Sequence, residues 1–280
     1  MKIVLKPLMA AAAVSAMLAV GCGEEEETTK VVEEDTATSE AIAKTFTITD
    51  LSMEMLWVKP GTFEMGSPSS EEDREDDETL HTVTLTQGFH LGKHEVTQSQ
   101  WEKVMGSNPS KYNGANRPVE QVSWMDVTTF CAKLTASERA AGRLPAGMTY
   151  QLPTEAQWEY ACRAGTKTSF SFGDSLTSGQ ANISGGPGET TAVGKYPANG
   201  WGFHDMHGNV WEWCADRYGI YPTVAATDPV GPADGSGRVK RGGSWPNSAL
   251  GARSANRNRG VPAYSNYILG FRLSLRPASK

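Results

Sequence analysis

Glycine and proline recur so often from residue 47 onward that a long, uninterrupted helix or strand is improbable there. The chain holds 29 glycines and 15 prolines, nearly all in this part, and both residue types break regular elements and favour turns. The 8 tryptophans lie in the same part, and large aromatic side chains bury much area per residue. The sequence therefore predicts that residues 47–280 form one loop-rich domain whose core depends on aromatic burial.

The first residues have the features of an export signal. Lys2 and Lys6 form a basic start, and the uncharged, mostly apolar run Leu8–Val20 follows. That run has the length of a signal-peptide core and is shorter than the ~20 residues that a membrane-spanning helix needs. Small residues then lead into Cys22, which resembles the lipobox of bacterial lipoproteins, where this cysteine is acylated. An ordinary secretory signal (1–21) with an incidental cysteine is the alternative.

The lipobox resemblance predicts an exported protein that is lipid-anchored to a bacterial membrane, either periplasmic or at the cell surface. Residues 22–46 are acidic and have no aromatic side chain before Phe46. Such a composition cannot bury enough surface to offset chain entropy, so we expect a flexible tether behind the lipid. Much of the net charge of -6 comes from this tether. No basic stripe occurs in the chain, which argues against a nucleic-acid partner.

Capping patterns and short apolar runs predict the regular elements. A hydroxyl residue precedes a carboxylate or amide by three positions, the spacing of a capping box, at Thr97, Ser123 and Thr154. The helices predicted from these boxes are Thr97–Met105, Trp124–Arg139 and Glu155–Arg163. The predicted strands are Met55–Val58, Thr82–Leu85, Phe89–Leu91 and Gly270–Leu275. The sequence thus predicts an α+β domain with a few helices, short antiparallel sheets and long irregular loops.

Short motifs rich in glycine and aromatic residues follow one another along this domain. In chain order they are Val58–Gly66, Lys93–Thr97, Pro118–Trp124, Leu152–Ala161, Gly202–Trp213, Arg241–Trp245 and Gly270–Arg272. The series resembles the sulfatase-modifying-factor family, named for the formylglycine-generating enzyme, from about Met53 to Leu275. The resemblance implies a C-type-lectin-like core elaborated with extra helices and loops.

The resemblance does not extend to the family's catalytic pair. Formylglycine-generating enzymes use two cysteines shortly after the Gly-Gly-Ser-aromatic motif to bind copper, and act with oxygen on a substrate cysteine. The matching positions here are Asn247 and Ala252, or Ala249 for the second when counted back from Gly270–Arg272. No cysteine follows Cys214, and soft thiolates are the ligands that Cu(I) selects. The sequence therefore excludes formylglycine generation by this mechanism and predicts no copper.

The other cysteines of the domain are expected to be structural. Cys131, Cys162 and Cys214 lie among apolar residues, where a free cysteine behaves as a small apolar group. Since their number is odd, at most one disulfide bond can form among them.

The motif around Gly208 contains the residues that could bind a metal ion other than copper. Matched to the family it is a calcium loop, in which Asp205 and Glu212 offer carboxylates while Gly208 and Val210 offer backbone carbonyls. Calcium takes about six to eight oxygen ligands, and such a mixture suits it. The resemblance therefore implies one calcium ion here. A Gly-Asn turn with aromatic packing and no ion is the alternative.

Other metal sites are less well supported by the sequence. The family's second calcium site begins with a pair that matches Asn182 and Ile183, but its acidic partner falls near Gly185, where no carboxylate stands. Zinc held by His204 and His207 is weaker still, because no further His or Cys completes a tetrahedral set. The acidic run 71–78 is expected to be a solvated loop.

The C-terminal part combines bracing arginines with a surface-like segment. We expect the arginines at 241, 253, 257 and 272 to pair with carbonyls and carboxylates inside the fold. Between them, apolar and aromatic residues are mixed with small polar ones, a composition suited to recognition because rigid aromatics contribute area at low entropy cost. The predicted ligand-contacting residues are Pro246, Asn247, Ser248, Leu250, Gly251, Arg259, Val261, Ala263, Tyr264, Asn266, Tyr267 and Ile268. A plain core segment is the alternative.

The same part shows a second resemblance. Gly242–Trp245, Ala252–Asn258 and Gly270–Leu273 are similar in pattern to the variable region of diversity-generating retroelement target proteins, which include lipoproteins with this lectin-like domain. In those proteins the changed residues form a ligand-binding face. Residues 238–280 are therefore a predicted variable region that binds an unknown protein or glycan.

Two functions from different classes follow. The favoured one is a non-enzymatic, exported lipoprotein that binds a ligand through the face Pro246–Ile268. The alternative is an enzyme or maturation factor of another family branch that acts on secreted proteins or small molecules. A purely structural envelope protein ranks third.

Overall fold

The strands nearest the two ends of the domain meet in one antiparallel sheet. The computed structural model describes residues 44–278, and the sheet has the spatial order β1 (Phe46–Ile48), β2 (Met53–Val58), β5 (Phe89–Gly92), β12 (Ser274–Pro277), β6 (Met148–Gln151). Every residue of β5 is buried, and Leu91 lies opposite both Leu56 and Ser274. The strand β1 begins at Phe46, one residue before the predicted start of the domain.

Two smaller sheets complete the β structure. One has the order β10 (Asn258–Gly260), β9 (Arg238–Arg241), β7 (Trp211–Arg217), β11 (Leu269–Gly270). The other has the order β3 (Gly61–Met65), β4 (His81–Leu85), β8 (Ala226–Thr227). β11 pairs with β7, and β8 with β4, in parallel. The α+β class predicted from the sequence is confirmed. The two parallel pairs were not predicted, nor were the strands β1, β3 and β6 to β10.

The prediction of one strand over Gly270–Leu275 is wrong. β11 ends at Gly270 in one sheet, and β12 begins at Ser274 in another. Between them Arg272 is fully buried and makes hydrogen bonds to carbonyls of Gly92 and His204. The chain therefore leaves one sheet for the other where this guanidinium enters the interior.

The three predicted helices are present as α1 (Gln98–Met105), α2 (Trp124–Ala140) and α3 (Glu155–Arg163). Each begins with a complete capping box at the predicted hydroxyl residue. In each box the hydroxyl accepts from a backbone N–H of the first turn, and a side chain of that turn accepts in return. Within residues 44–278 no helix has the length and apolar character needed to cross a bilayer.

Aromatic side chains fill much of the interior, as the composition predicts. Trp101 of α1 stacks on Phe130 of α2 with ring centroids 5.3 Å apart, and Phe271 meets both rings edge-on. Trp158 of α3 lies in the main core and is fully buried. A Cβ atom at Gly242 would stand 3.0 Å from the Trp158 ring, so only glycine fits there without displacement. Aromatic packing thus joins α1 and α2 to the C-terminal segment through Phe271, and joins α3 to it through the contact between Trp158 and Gly242.

Four buried arginines tie distant segments together, as predicted. Their carboxylate partners are Glu159 for Arg241, Glu71 and Glu78 for Arg253, Glu155 for Arg257, and Glu212 for Arg272. The expectation of a solvated acidic loop at 71–78 is therefore wrong in part. Glu78 is fully buried, and its two oxygens accept from Arg253 at 2.7 and 2.8 Å. The Arg253 guanidinium and the Ser67 hydroxyl hold the pKa of Glu78 below its usual value despite burial.

We expect Arg272→Met to lower the free energy of unfolding by about 3–5 kcal/mol, because Glu212 would keep a buried charge without its partner. Adding Glu212→Gln removes that charge and should restore part of the loss. Urea denaturation measures both effects. Lys93→Met is the control: it breaks the half-exposed pair with Glu54 and should cost at most about 1 kcal/mol. An equally small cost for Arg272→Met would contradict the role assigned to the buried pair.

Candidate binding face and buried carboxylate cluster

The apolar members of the predicted binding face are at the surface. Leu250, Val261, Tyr264 and Tyr267 are 45%, 57%, 39% and 37% exposed. The other exposed members are Pro246, Ser248, Arg259 and Ala263, whereas Asn247, Gly251, Asn266 and Ile268 are half-buried. The middle of the segment, Ala252–Arg257, is buried throughout. The segment Pro246–Ile268 is therefore neither entirely core nor entirely surface loop. Its middle is buried, and the loops before and after this middle part are exposed.

An aromatic cluster lies at one part of this face. The rings of Tyr112, Trp245 and Tyr267 have centroids 5.9 to 6.2 Å apart. Lys111 Nζ lies 4.2 Å from the Tyr267 ring centroid and 5.2 Å from that of Tyr112, within the range of a cation–π interaction. Neither Lys111 nor Tyr112, which lie in the loop after α1, was predicted from the sequence as part of the face. No local pattern marks them, because only the fold brings that loop to the C-terminal segment.

A second cation lies beneath Tyr264. Lys240 is 8% exposed, and its Nζ lies 5.3 Å from the Tyr264 ring centroid and 5.7 Å from that of Trp211. Burial lowers the pKa of this amine. Tyr264 therefore has one side toward solvent and the other over Lys240, whereas Tyr267 packs on the Trp245 ring.

Some predicted contact residues shape their own loops. Asn266 Nδ2 donates to the Tyr264 hydroxyl at 2.9 Å, while Asn266 Oδ1 accepts from the Ile268 N–H at 3.2 Å. Ser244 Oγ donates to Asn247 Oδ1 at 2.6 Å. The Arg259 guanidinium lies 4.6 Å from the Tyr218 ring centroid. The asparagines thus fix the loop conformations, and the exposed rings are left as the main contact groups.

The segments predicted to bind calcium come together in the interior. Asn182 O accepts from the Asn209 N–H at 2.8 Å, and a Cβ atom at Gly208 would stand only 2.3 Å from that carbonyl oxygen. Asp205 Oδ2 accepts from the Gly194 N–H at 2.7 Å. Asp205 Oδ1 and Asn182 Oδ1 are both buried and have no hydrogen-bond partner in the described part of the chain.

Glu212 has a different environment from Asp205. Arg272 donates from Nε and Nη2 to its two oxygens, each at 2.7 Å, and Trp158 Nε1 donates to Oε2 at 2.7 Å. The carboxylate is therefore the anchor of an internal ion pair. This role is not evident from the motif alone, since the partner arginine comes from the far C-terminal segment.

Glu95 is a buried carboxyl that the sequence analysis did not select. Its oxygens accept from Asn209 Nδ2 at 2.7 Å and from the Val210 N–H at 3.2 Å. Burial raises its pKa well above the usual value, and the nearby charges of Asp205 and Glu212 add to that effect. Burial also raises the pKa of Asp205 to about 6. Glu95 belongs to the quoted Lys93–Thr97 motif, but its role depends on contacts with the distant 205–212 loop.

The two histidines of the zinc hypothesis make separate structural contacts. His207 Nδ1 lies 2.7 Å from the Ala252 carbonyl, and Ser171 N–H donates to His207 Nε2 at 3.1 Å. Burial lowers the pKa of His207 to about 4, so the ring is neutral near pH 7. His204 Nδ1 lies 2.8 Å from the Tyr196 carbonyl. Across residues 44–278, no three His, Cys, Asp or Glu side chains converge as metal ligands.

No cysteine stands at Asn247, Ala249 or Ala252, the positions that the family resemblance matches to the catalytic pair. Cys131, Cys162 and Cys214 are buried free thiols. Burial raises the pKa of Cys131 and of Cys162 to about 12, so both are protonated near neutral pH. Protonated, buried thiols are poor nucleophiles and poor metal ligands.

The geometry defines a class of protein: a loop-rich α+β domain with an exposed aromatic C-terminal face and without the thiolate pair. The family described as "Sulfatase-modifying factor enzyme 1-like domain" matches residues 40–277. The chain therefore belongs to the sulfatase-modifying-factor family, and the resemblance drawn from its motifs is confirmed.

Curated relatives match this domain as part of longer proteins. The chain is 36% identical to the formylglycine-generating enzyme of Mus musculus over 196 residues, which cover 63% of this chain and 49% of the enzyme. It is 32% identical to serine/threonine-protein kinase pkn1 of Chlamydia caviae over 239 residues, 79% of this chain and 38% of the kinase. The chain thus spans about half or less of these two relatives, so the likeness concerns the domain alone.

One solved structure matches this chain over nearly the whole length of that solved structure. Treponema denticola variable protein 1 superposes with a TM-score of 0.75 at 30% sequence identity, and the match covers 84% of this chain and 99% of that chain. Together with the family match, this likeness confirms the C-type-lectin-like fold of the formylglycine-generating-enzyme type.

Proposed function

We propose that this protein is an exported lipoprotein whose sulfatase-modifying-factor domain binds a protein or glycan ligand through its C-terminal region, without formylglycine chemistry. The observation that carries the proposal is the set of exposed side chains within Pro246–Ile268, on a domain with no cysteine at Asn247, Ala249 or Ala252, the positions that the resemblance matches to the catalytic pair. The likeness to a variable protein supports a binding role for this region. Diversification of residues 238–280 by a retroelement is part of the same proposal.

The way the face is held favours recognition. Arg241, Arg253 and Arg257 belong to the buried ion pairs, and they fix the chain on both sides of the exposed loop at 246–251. Tyr267 is restrained by its contacts with Trp245 and Lys111. Side chains that are already ordered lose little entropy when a ligand binds, so more of the contact energy appears as affinity.

We expect Tyr267→Ala to weaken ligand binding about thirtyfold, since loss of a central aromatic contact commonly costs about 2 kcal/mol. The melting temperature should change little because the ring is 37% exposed. The assay is capture of surface proteins or glycans by the purified domain, followed by titration of the captured ligand against each variant.

Two control variants separate binding from folding. Ile220→Ala removes an apolar side chain that is 91% exposed and outside the face, so binding and melting temperature should both be retained. Trp158→Ala should cost about 3–5 kcal/mol of stability, as expected for a core aromatic. Full binding by Tyr267→Ala would reject the face and favour the enzyme alternative.

We also propose that the 205–212 loop holds one calcium ion. The buried, unpartnered oxygens of Asp205 and Asn182 support this, since they fit the oxygen ligands that calcium prefers. The family resemblance adds backbone carbonyls of Ile183, Gly208 and Val210, of which that of Ile183 already accepts from the Gly186 N–H at 2.9 Å. Glu212 would take part only in addition to its bonds with Arg272 and Trp158. The ion would compensate the negative charge that burial disfavours at Asp205.

Millimolar calcium should raise the melting temperature, because ligand binding to the native state stabilises by about 2.7 kcal/mol at a hundredfold excess over Kd. Asp205→Asn should abolish the rise. This variant is more informative than Glu212→Ala, which would also leave Arg272 unpaired. The measurement compares thermal melting in chelator and in calcium. A calcium effect that persists in Asp205→Asn would place the ion elsewhere.

The anchor is proposed from the sequence, since Cys22 lies outside the described residues. We expect Cys22→Ser to move the protein from the membrane fraction to the soluble fraction, because durable anchoring depends on the acyl chains. Fractionation with a high-salt wash, followed by immunoblotting, measures this. Cys131→Ser, which changes a buried thiol of the domain, is the matched control and should stay with the membranes. Retention of the Cys22 variant would overturn the anchor.

A further inference from the structure

An open pocket of about 570 Å³ lies between α2 and the edge of the five-stranded sheet. None of its lining residues belongs to the binding face or to the 205–212 loop. Its apolar walls are Trp124, Cys131, Ala132, Ala136 and Leu152. Ala132 and Ala136 stand one helical turn apart on α2, and their small side chains leave a channel beside the helix.

Three arginines line this pocket, and each lacks an acidic partner. No carboxylate of residues 44–278 is within ion-pair distance of Arg139, Arg238 or Arg276. Their hydrogen bonds go to backbone carbonyls: Arg139 donates to Met148 at 3.4 Å, Arg238 to Ala215 at 2.7 Å and Arg276 to Leu152 at 3.4 Å. Arg238 Nε is buried and has no partner among the described residues.

The arginines of this pocket differ from the four buried arginines in having no acidic partner within residues 44–278. Arg241, Arg253, Arg257 and Arg272 each pair with at least one carboxylate. A guanidinium that is partly withdrawn from water normally needs such compensation. Arg238 and Arg276 are half-buried, whereas Arg139 is exposed. The absence of an acidic partner for Arg238 and Arg276 among the described residues therefore points to a partner outside this part of the chain.

Asp216 gives Arg238 and Arg276 little compensation. Asp216 borders the neighbouring cavity together with Arg276, and its Oδ2 accepts from the Glu155 N–H at 2.8 Å. Burial, together with the Glu155 charge, raises the pKa of Asp216 to about 7, so near neutral pH it is only partly ionised. Burial lowers the pKa of Arg276, and burial with the nearby Arg217 lowers that of Arg238. The pocket is thus a region of positive potential.

We infer that this pocket binds an amphiphilic organic anion, whose carboxylate, sulfate or phosphate group meets Arg238 and Arg276 and whose apolar body lies along α2. Guanidinium groups recognise such oxyanions through paired N–H donors. The Arg238 guanidinium lies 3.9 Å from the Trp124 ring centroid, which fixes its position beside the apolar wall. The inference is independent of the function proposed for the C-terminal face.

Two dyes that differ by one charged group test the inference. The fluorescent probe 8-anilino-1-naphthalenesulfonate carries an apolar body and a sulfonate, whereas N-phenyl-1-naphthylamine has the same body without the charge. We expect the sulfonate to bind at one saturable site and the uncharged dye to bind at least about tenfold more weakly, since hydrogen bonds to charged groups contribute more than neutral ones. Equal binding of the two dyes would overturn the inference.

Variants assign the site. Arg238→Gln and Arg276→Gln should each weaken sulfonate binding by about tenfold. Their melting temperatures should fall only slightly, because neither change breaks an ion pair and each removes only a bond to a backbone carbonyl and, for Arg238, the contact with Trp124. Ala136→Trp fills the channel and should weaken both dyes. Lys133→Gln, an exposed charge on the same helix, is the matched control and should change neither. Unchanged sulfonate binding in both arginine variants and in Ala136→Trp would place the dye elsewhere and reject the pocket.

Competition distinguishes the two parts of the ligand. Decanoate, which has an apolar tail and one carboxylate, should displace the sulfonate dye at concentrations at least about tenfold below those of inorganic sulfate, because burial of its methylene groups adds favourable free energy that sulfate lacks. If inorganic sulfate displaced the dye as effectively as decanoate, the apolar half of the inference would be wrong.

Discussion

The buried ion pair between Arg272 and Glu212 joins parts of the chain that no regular element connects. The guanidinium makes paired bonds to Glu212 of β7, and also bonds to the carbonyls of Gly92 and His204. Trp158 of α3 donates to the same carboxylate. Removing either charge alone leaves the other one buried without compensation, so the position of each segment depends on all the others. The positive charge of Arg272 also acts on the buried carboxyls of Glu95 and Asp205.

The same principle explains how a loop-rich domain can present a defined surface. Few regular elements hold the segment between β9 and β11, but its arginines anchor it to carboxylates on α3 and on the 71–78 loop. The exposed loops then project from a fixed base. Their aromatic side chains are available for contact because burial of Ala252–Arg257 already holds the segment in place.

Local features were predictable from the sequence, and contacts between distant segments were not. The capping boxes placed all three helix starts correctly, because a cap involves only neighbouring residues. The prediction of one strand at Gly270–Leu275 was wrong because Arg272 turns into the interior to pair with Glu212, which is far away in sequence. For the same reason the sequence pointed to Tyr264 and Tyr267 but missed Lys111 and Tyr112. The family motifs supplied the lectin-like fold, which periodicity alone did not reach.

The free state of the three cysteines of the domain bears on the conditions in which it can fold. They are buried, and no disulfide bond joins them within the described range. Ion pairs and aromatic packing, rather than covalent cross-links, therefore hold the loops. Such a domain does not depend on an oxidising compartment or on a disulfide isomerase, and reducing agents should leave its stability unchanged.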